Sequence, residues 1–325
     1  MAVDGTTFRM PDTPANKRTF GEFKNQFEAT AYPFVQVVAL CELGTHALTA
    51  WIARRFPSCE KNLAHRLLRH LPAKSLLLGD RNFHSYALWE QAQKRGFGLI
   101  LRVAKGPKFA PSKVLSDGSF SSVVRPRTLK INKGKPAIAV RVIACEVRDG
   151  DGWVTVRFLA NLLGVEADGT GLDLAELYAG RWEQELAFKE IKGKLAGRGT
   201  ELRSHSPELV LQELDGLLLG HYVVRATMLE AARRAKVSPI EISFHKAVRV
   251  MQTRLSTRPR SRPAAVRWWD ELIGEIARLP RRRRRLRSCP RVRKSTRCPW
   301  PAKKPHHRGT KLKPLDERIK TTSLS

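Results

Sequence analysis

"SLLLGDRNFHSYALWEQAQKRGFGLILRV" (Ser75 to Val103) runs from an apolar segment through a mixed one to a second apolar segment. "SLLLGD" has the length and composition of a buried strand and ends on the carboxylate of Asp80. Ser85 stands where a helix N-cap belongs and Gly96 where a helix C-terminus belongs, so "SYALWEQAQKRG" reads as a helix. "FGLILRV" then reads as another strand. Strand, helix and strand in so short a span predict a mixed α/β layer fold.

The segments on either side agree. "MAVD", "YPFVQVVALCEL" (Tyr32 to Leu43) and "HALTAWIA" (His46 to Ala53) read as a β-meander, with a tight turn at Gly44. "KNLAHRLLRHL" (Lys61 to Leu71) spaces its leucines as an amphipathic helix does. After Lys105 the sequence turns to alternating Val, Arg, Thr and Ser, as in "PAIAVRVIACEV" and "WVTVRFLAN", with turn signals such as "RDGDG" between. That pattern predicts a β-rich insertion. Helix returns near Leu172. Ser206 to Ala235 is expected to form a long helix opened by Ser206-Pro207, followed by helices near Pro239 to Met251 and Pro263 to Leu279. The expected divisions are 1–105, the first part of the core; 106–170, the insertion; 171–280, the second part of the core with the C-terminal helices; and 281–325, a basic disordered tail.

Composition narrows the function. Of 325 residues, 60 are Lys or Arg and 30 are Asp or Glu, a formal charge of +30. A chain this basic seeks a polyanion, and nucleic acid is the default partner. Residues 281–325 alone hold 17 basic and two acidic residues. No run approaches the roughly 18 apolar residues of a membrane helix, and "MAVDGTTFRM" lacks the parts of a secretory signal. Five scattered cysteines suit a reducing cytosol better than a disulfide framework. Cys289, Cys298, His306 and His307 match no zinc-finger spacing, and the lone His46 and His84 read as structural or surface residues. No phosphate-binding glycine loop and no nucleophile elbow occurs.

Three carboxylates remain. Asp4 ends the apolar run "MAV" and Asp80 ends "LLL", so both sit where a strand end projects a side chain into the crevice of an α/β sheet. Asp-Gly is also ordinary turn chemistry, so neither residue decides the matter alone. The third is Glu185, in "YAGRWEQELAFKEIKGKL" (Tyr178 to Leu195). On an ideal helix Tyr178, Arg181, Glu185, Lys189 and Lys192 share one narrow stripe, with Leu177, Phe188, Ile191 and Leu195 on an adjoining buried face. The plain alternative is a solvated helix laced by i,i+4 pairs.

"VDGTTFRMPDTPANKRTFG", the stretch from Leu76 to Val103, and "LYAGRWEQELAFKEIKGKL" together resemble the three blocks of bacterial DDE transposases of the insertion-sequence-4 family. The last block has that family's Tyr-x2-Arg-x3-Glu-x6-Lys signature as Tyr178, Arg181, Glu185 and Lys192. The resemblance covers residue 1 to about 250. It implies a ribonuclease-H-like mixed sheet flanked by helices, with a β-rich insertion before the last catalytic helix. It also implies that Asp4, Asp80 and Glu185 are the catalytic carboxylates and hold two Mg²⁺ ions, with Mn²⁺ able to substitute. DNA contacts are expected from Tyr178, Arg181, Lys192, Lys189, Arg81, Trp182 and Trp153, although both tryptophans also fit a core. The basic side chains of the stripe are expected to await phosphate rather than neutralise Glu185.

The expected activity is Mg²⁺-dependent strand cleavage and strand transfer at insertion-sequence ends, with a hairpin intermediate implied by the resemblance alone. The expected partners are double-stranded DNA, both transposon ends and target, and a second copy of the chain in a homodimeric DNA synapse, with no membrane. The expected location is the bacterial cytoplasm, at the nucleoid. Relatives carry a helical domain before the first Asp, so the chain is expected to be N-terminally truncated. The alternative reading is an inactive, truncated remnant that only binds DNA.

Overall fold

The computed structural model describes residues 1–21, 32–104, 108–126, 134–149, 152–196, 201–280 and 319–321. Strand β1 (Ala2–Arg9), helix α1 (Pro14–Phe20) and strands β2 (Phe34–Cys41) and β3 (Leu48–Arg55) open the chain. Helix α2 (Glu60–Leu67), strand β4 (Leu76–Gly79), helix α3 (Tyr86–Arg95) and strand β5 (Gly98–Val103) follow. β1, β2 and β3 pair antiparallel, while β4 lies parallel to β1 and β5 parallel to β4. The order β3-β2-β1-β4-β5 with these directions is the ribonuclease-H-like core that the sequence led us to expect.

Ser85 caps α3 by accepting a hydrogen bond from the Leu88 amide, and Gly96 ends the helix in the left-handed region at φ 66°. β1 corrects the reading of "MAVD" as a four-residue strand that stops at Asp4. It continues to Arg9, because Gly5 to Arg9 go on pairing with β2. What stops at Val3 is the parallel pairing with β4, so Asp4 still stands where two strands part.

The insertion adds to the same sheet. Strands β6 (Lys113–Val114), β7 (Phe120–Val124), β8 (Ile138–Asp149) and β9 (Gly152–Ala160) carry the order on as β5-β9-β8-β7-β6, with β9 antiparallel to β5. Helices α4 (Val165–Asp168), α5 (Gly171–Ala179) and α6 (Trp182–Glu190) lead to α7 (Pro207–Ala235), α8 (Phe244–Leu255) and α9 (Arg262–Ala277). The helix placed at Pro239 to Met251 divides: Pro239–Glu241 is a 3-10 turn and α8 starts at Phe244. Within the expected disordered tail, strand β10 (Ile319–Thr321) pairs with β8; the rest of it, including Cys289, Cys298, His306 and His307, lies outside the described residues. Among the described residues no helix is long and apolar enough to cross a membrane.

The period of two in the strands sets the layers. Val3, Val38 and Leu40 face α2 and α3. Phe8, Val37, Ala39 and Cys41 face α6 and α7, and Ala2, Leu78, Ile100 and Phe158 lie under α5. Asp4 has the parity of Ala2 and Phe8, so its side chain points at the layer formed by α5 and α6. The remainder of α7 forms a helical core with α8 and α9.

Candidate active site

Gly79 brings β4 close to its neighbours. A Cβ there would come within 2.8 Å of Leu101 and 3.4 Å of Val3, so the strand before Asp80 needs glycine for close approach. Asp80 then opens a 3-10 turn, Arg81–Phe83, by accepting a hydrogen bond from the Arg81 amide at 2.7 Å. Asn82, inside that turn, keeps an ordinary negative φ. Asp4 accepts from the Gly5 amide at 2.8 Å. Both aspartates are thus oriented by the amide that follows them.

The helix that carries Glu185 is not continuous from Tyr178, which corrects the ideal-helix stripe. α5 stops at Ala179. Gly180 and Arg181 donate their amides to Leu177 and Tyr178, an i→i−3 turn, and α6 begins at Trp182. The tighter turn shifts the faces. Leu177, expected in the buried face, is exposed, while Tyr178 and Arg181 are buried. Beyond α6, Ile191–Leu195 is a π-turn.

Arg181 is the centre of the site. Its Nη1 donates to Asp4 Oδ2 at 3.1 Å and its Nη2 to Glu185 Oε1 at 3.3 Å. Burial disfavours its cation, yet Tyr178 and the charges of Asp4, Asp80 and Glu185 outweigh that and hold its pKa above the ordinary arginine value. Its Nε is buried with no partner. Asp4 has its carboxyl pushed up to about 6, first by burial, while the Gly5 amide and Arg181 pull it down and Glu185 and Asp80 push it up. Arg181 therefore neutralises the carboxylates, contrary to the expectation that the basic side chains of this helix only await phosphate.

Other expected site residues fall in three groups. Tyr178 is buried; its hydroxyl donates to the Gly79 carbonyl at 3.2 Å and its ring packs on Phe158, so it ties α5 to the strand before Asp80. Lys192 is half-buried over the Phe8 ring, 5.0 Å from its centroid, and burial and then Arg9 lower its pKa. Arg81 and Lys189 are exposed, as are Trp182 at 49% and Trp153 at 38%. Both tryptophans therefore lie at the surface, not in the core.

Sequence reasoning missed the set of side chains that clamps α6. Gln184, fully buried, donates to the Ala39 carbonyl at 3.0 Å, and Ala39 is the register partner of Asp4. Glu183 accepts from His46 Nε2 at 2.5 Å, and His46 Nδ1 accepts from Arg225 Nη2 at 2.7 Å. Glu190 accepts from His221 Nε2 and Arg225 Nε, each at 3.1 Å, and from Arg225 Nη2. Its carboxyl is driven far below the ordinary range: burial opposes this, but the hydrogen bond from His221 and the Arg225 charge and hydrogen bonds prevail. His46 has φ 61° in the β2–β3 turn where Gly44 was expected to do the turning. The signal was faint but present: Glu183 and Glu190 are seven residues apart on one helix, and His221 and Arg225 four apart on another.

Oxygen donors alone suit a hard divalent cation, and the three carboxylates already act on one shared cation, Arg181. As they stand they do not close a cage: among the described residues no three of His, Cys, Asp and Glu lie close enough to hold a metal ion.

A family model described as "Transposase DDE domain" matches residues 1–222. The chain belongs to this family. It is 30% identical over 317 residues, 92% of its own length and 68% of the relative's, to "Transposase InsG for insertion sequence element IS4" of Escherichia coli (strain K12). Over 96 residues, 29% of this chain and 32% of the relative, it is 33% identical to "Putative transposase InsZ" of the same organism. A solved structure, a piggyBac transposase synaptic complex with hairpin DNA, superposes with a TM-score of 0.42 and 10% identity, over 85% of this chain and 52% of that one. The chain is thus a DDE transposase of the IS4 type, an enzyme of a family that uses divalent metal ions.

Proposed function

We propose that this chain cleaves DNA strands at the ends of an insertion sequence and joins them to target DNA, with Mg²⁺ as its ion and Mn²⁺ as a substitute. The observation that carries the proposal is the pairing of Asp4, on a strand, and Glu185, on a helix, with one buried guanidinium whose cation the charge of Asp80, just past the neighbouring strand, also favours. These three carboxylates would hold two ions. Bound there, the ions would activate water or a DNA 3′-hydroxyl and neutralise the leaving 3′-oxygen.

Arg181, once released from the carboxylates, can grip a phosphate beside the scissile one. Lys189 and Arg81 offer exposed cations for further phosphates, and Lys192 adds charge beside Phe8. Trp182 and Trp153 present exposed rings on which an unpaired base can stack, as a hairpin intermediate requires. Tyr178 serves by holding the Gly79–Asp80 backbone. The formal charge of +30 supports double-stranded DNA as the partner, and a homodimer in the synapse and a place at the bacterial nucleoid fit that partner. The remnant reading has no observation in its favour.

The test is cleavage of a supercoiled plasmid, or of a duplex carrying the element's end, with Mg²⁺ present. Wild type is expected to cut and Glu185→Gln to fail. Equal activity in the two proteins would refute the catalytic assignment.

A further inference from the structure

His46 lies in the turn between β2 and β3 and is fully buried. Its backbone stands at φ 61°, a left-handed conformation uncommon outside glycine. The turn holds that conformation with its own side chains. The Glu42 carboxylate accepts from the Gly44 amide at 3.0 Å and from the Thr45 hydroxyl, whose oxygen accepts from the Ala47 amide at 3.2 Å. The Glu42 amide donates to the Ala47 carbonyl at 2.9 Å and closes the loop. Unfavourable backbone that the surroundings over-determine in this way points to a use for the side chain.

The ring uses both of its nitrogens. Nε2 donates to Glu183 Oε2 at 2.5 Å, and Nδ1 accepts from Arg225 Nη2 at 2.7 Å. One ring in one tautomer thus links a carboxylate of α6 to a guanidinium of α7. Arg225 in turn holds Glu190, at the other end of α6. On a regular helix Glu183 and Glu190 lie within about 20° of each other, and Glu185 lies about 160–200° away from both. The His46 contacts therefore grip α6 on the side opposite its catalytic carboxylate.

A grip on that side acts as a lever. A carboxylate reaches roughly 6 Å from the helix axis, so a turn of about 20° carries it about 2 Å. A misplacement of about 1 Å can cost about a hundredfold in rate. We propose that His46 is a positioning residue for strand cleavage: acting through Glu183, it sets the rotation of α6 that presents Glu185 to Asp4 and Asp80. The inference rests on the DNA-cleaving function proposed above.

The test uses the full chain and a duplex bearing the element's end. His46→Gly removes the ring and keeps a residue at ease with positive φ. His46→Gln restores one acceptor and one donor on a single amide. Glu183→Ala breaks the same link from α6. Two measurements are made: amide hydrogen exchange without divalent metal, and cleavage kinetics in Mg²⁺. His46→Gly and Glu183→Ala are expected to speed exchange in α6 while β1, β2 and β4 stay protected. They are expected to lower kcat about a hundredfold and to leave KM for the duplex within about twofold. His46→Gln is expected to recover most of the rate and the protection, which a role in the turn alone would not give. If His46→Gly does not fold, Glu183→Ala with the same split in kcat and KM carries the test. The assignment is overturned if Glu183→Ala cleaves like wild type, if the loss lies in KM, or if exchange rises equally throughout the sheet. If the variants change α6 as expected but wild type itself cuts no DNA, it is the functional reading that falls, and the catalytic role of His46 falls with it.

Discussion

Replacing Asp4 by Asn should make the protein more stable while abolishing cleavage. Burial pushes the Asp4 carboxyl from 3.8 up to about 6, and the side chain is only 22% exposed, so solvent screens it little. A carboxyl with a raised folded pKa binds its proton more tightly folded than unfolded. The folded state therefore bears the full cost of the charged form above about pH 6, and the cost fades as pH falls from there toward 3.8. Each pH unit between those values is worth about 1.4 kcal/mol, so the cost at pH 7.5 is about 3 kcal/mol, to order of magnitude. Asparagine copies the shape of the neutral acid and removes that cost, although Arg181 keeps only Glu185 as a hydrogen-bonded partner. The assay is urea unfolding of both proteins in EDTA at pH 7.5 and at pH 4. A gain of about 3 kcal/mol at pH 7.5 that shrinks toward zero at pH 4 is expected. A variant less stable than wild type at pH 7.5, or a gap that ignores pH, would refute the claim that this carboxylate is held charged at a cost.

Other outcomes follow from the same contacts. Glu190→Gln removes the counter-charge of the buried Arg225 and should cost about 3–5 kcal/mol, read as a lower urea midpoint. Because the Glu190 carboxyl is depressed, wild type should also lose this stability progressively as pH falls below the ordinary carboxylate range, while the Gln variant should not. Arg141 is fully buried, paired with Asp117 and bonded to Ser119 and the Gly169 carbonyl; Arg141→Met should cost a similar amount and loosen α5, whose Gly171 amide also donates to Asp117. Trp182→Ala should change stability by no more than about 0.5 kcal/mol, as a surface position. It should weaken binding to a hairpin or gapped DNA by about 1–3 kcal/mol, measured by fluorescence anisotropy.

What the chain disclosed in advance was local. Ser85 and Gly96 bracket α3 because caps act within a few residues, and Ser206-Pro207 opens α7 for the same reason. The meander and the crossover strands were legible because their apolar runs are bounded by turn residues. The break at Gly180 was not. It sits in a run with good helical spacing, and what holds it is the Tyr178 hydroxyl on Gly79 and the pull of Arg181 toward Asp4, contacts 99 and 177 residues apart in sequence. The reading that Arg181 need not neutralise Glu185 failed for that reason: spacing gives its pair with Glu185, but only the fold buries it and brings Asp4 to it. His46 was unreadable too. Only the fold shows that its left-handed backbone is held by a carboxylate on α6 and a guanidinium on α7.

These long-range contacts share one logic. α6 has only nine residues and is irregular at both ends, a 3-10 turn before it and a π-turn after it, so its own ladder fixes its rotation poorly. Glu185 must nevertheless meet Asp4 from another element. The clamps supply what the ladder lacks. Glu183 and Glu190 lock the back of the helix to His46, His221 and Arg225, and Gln184 locks its underside to Ala39, the residue opposite Asp4 in the β1–β2 register. A one-residue slip of β1 against β2 would turn Asp4 to the far face of the sheet. Its link to Gln184 through Ala39 places strand register and helix rotation under a single constraint. With these two sides committed, the side that carries Glu185 and Lys189 is left facing out. The cost of burying that much charge is offset by pairing every carboxylate of the clamp with a neighbouring donor.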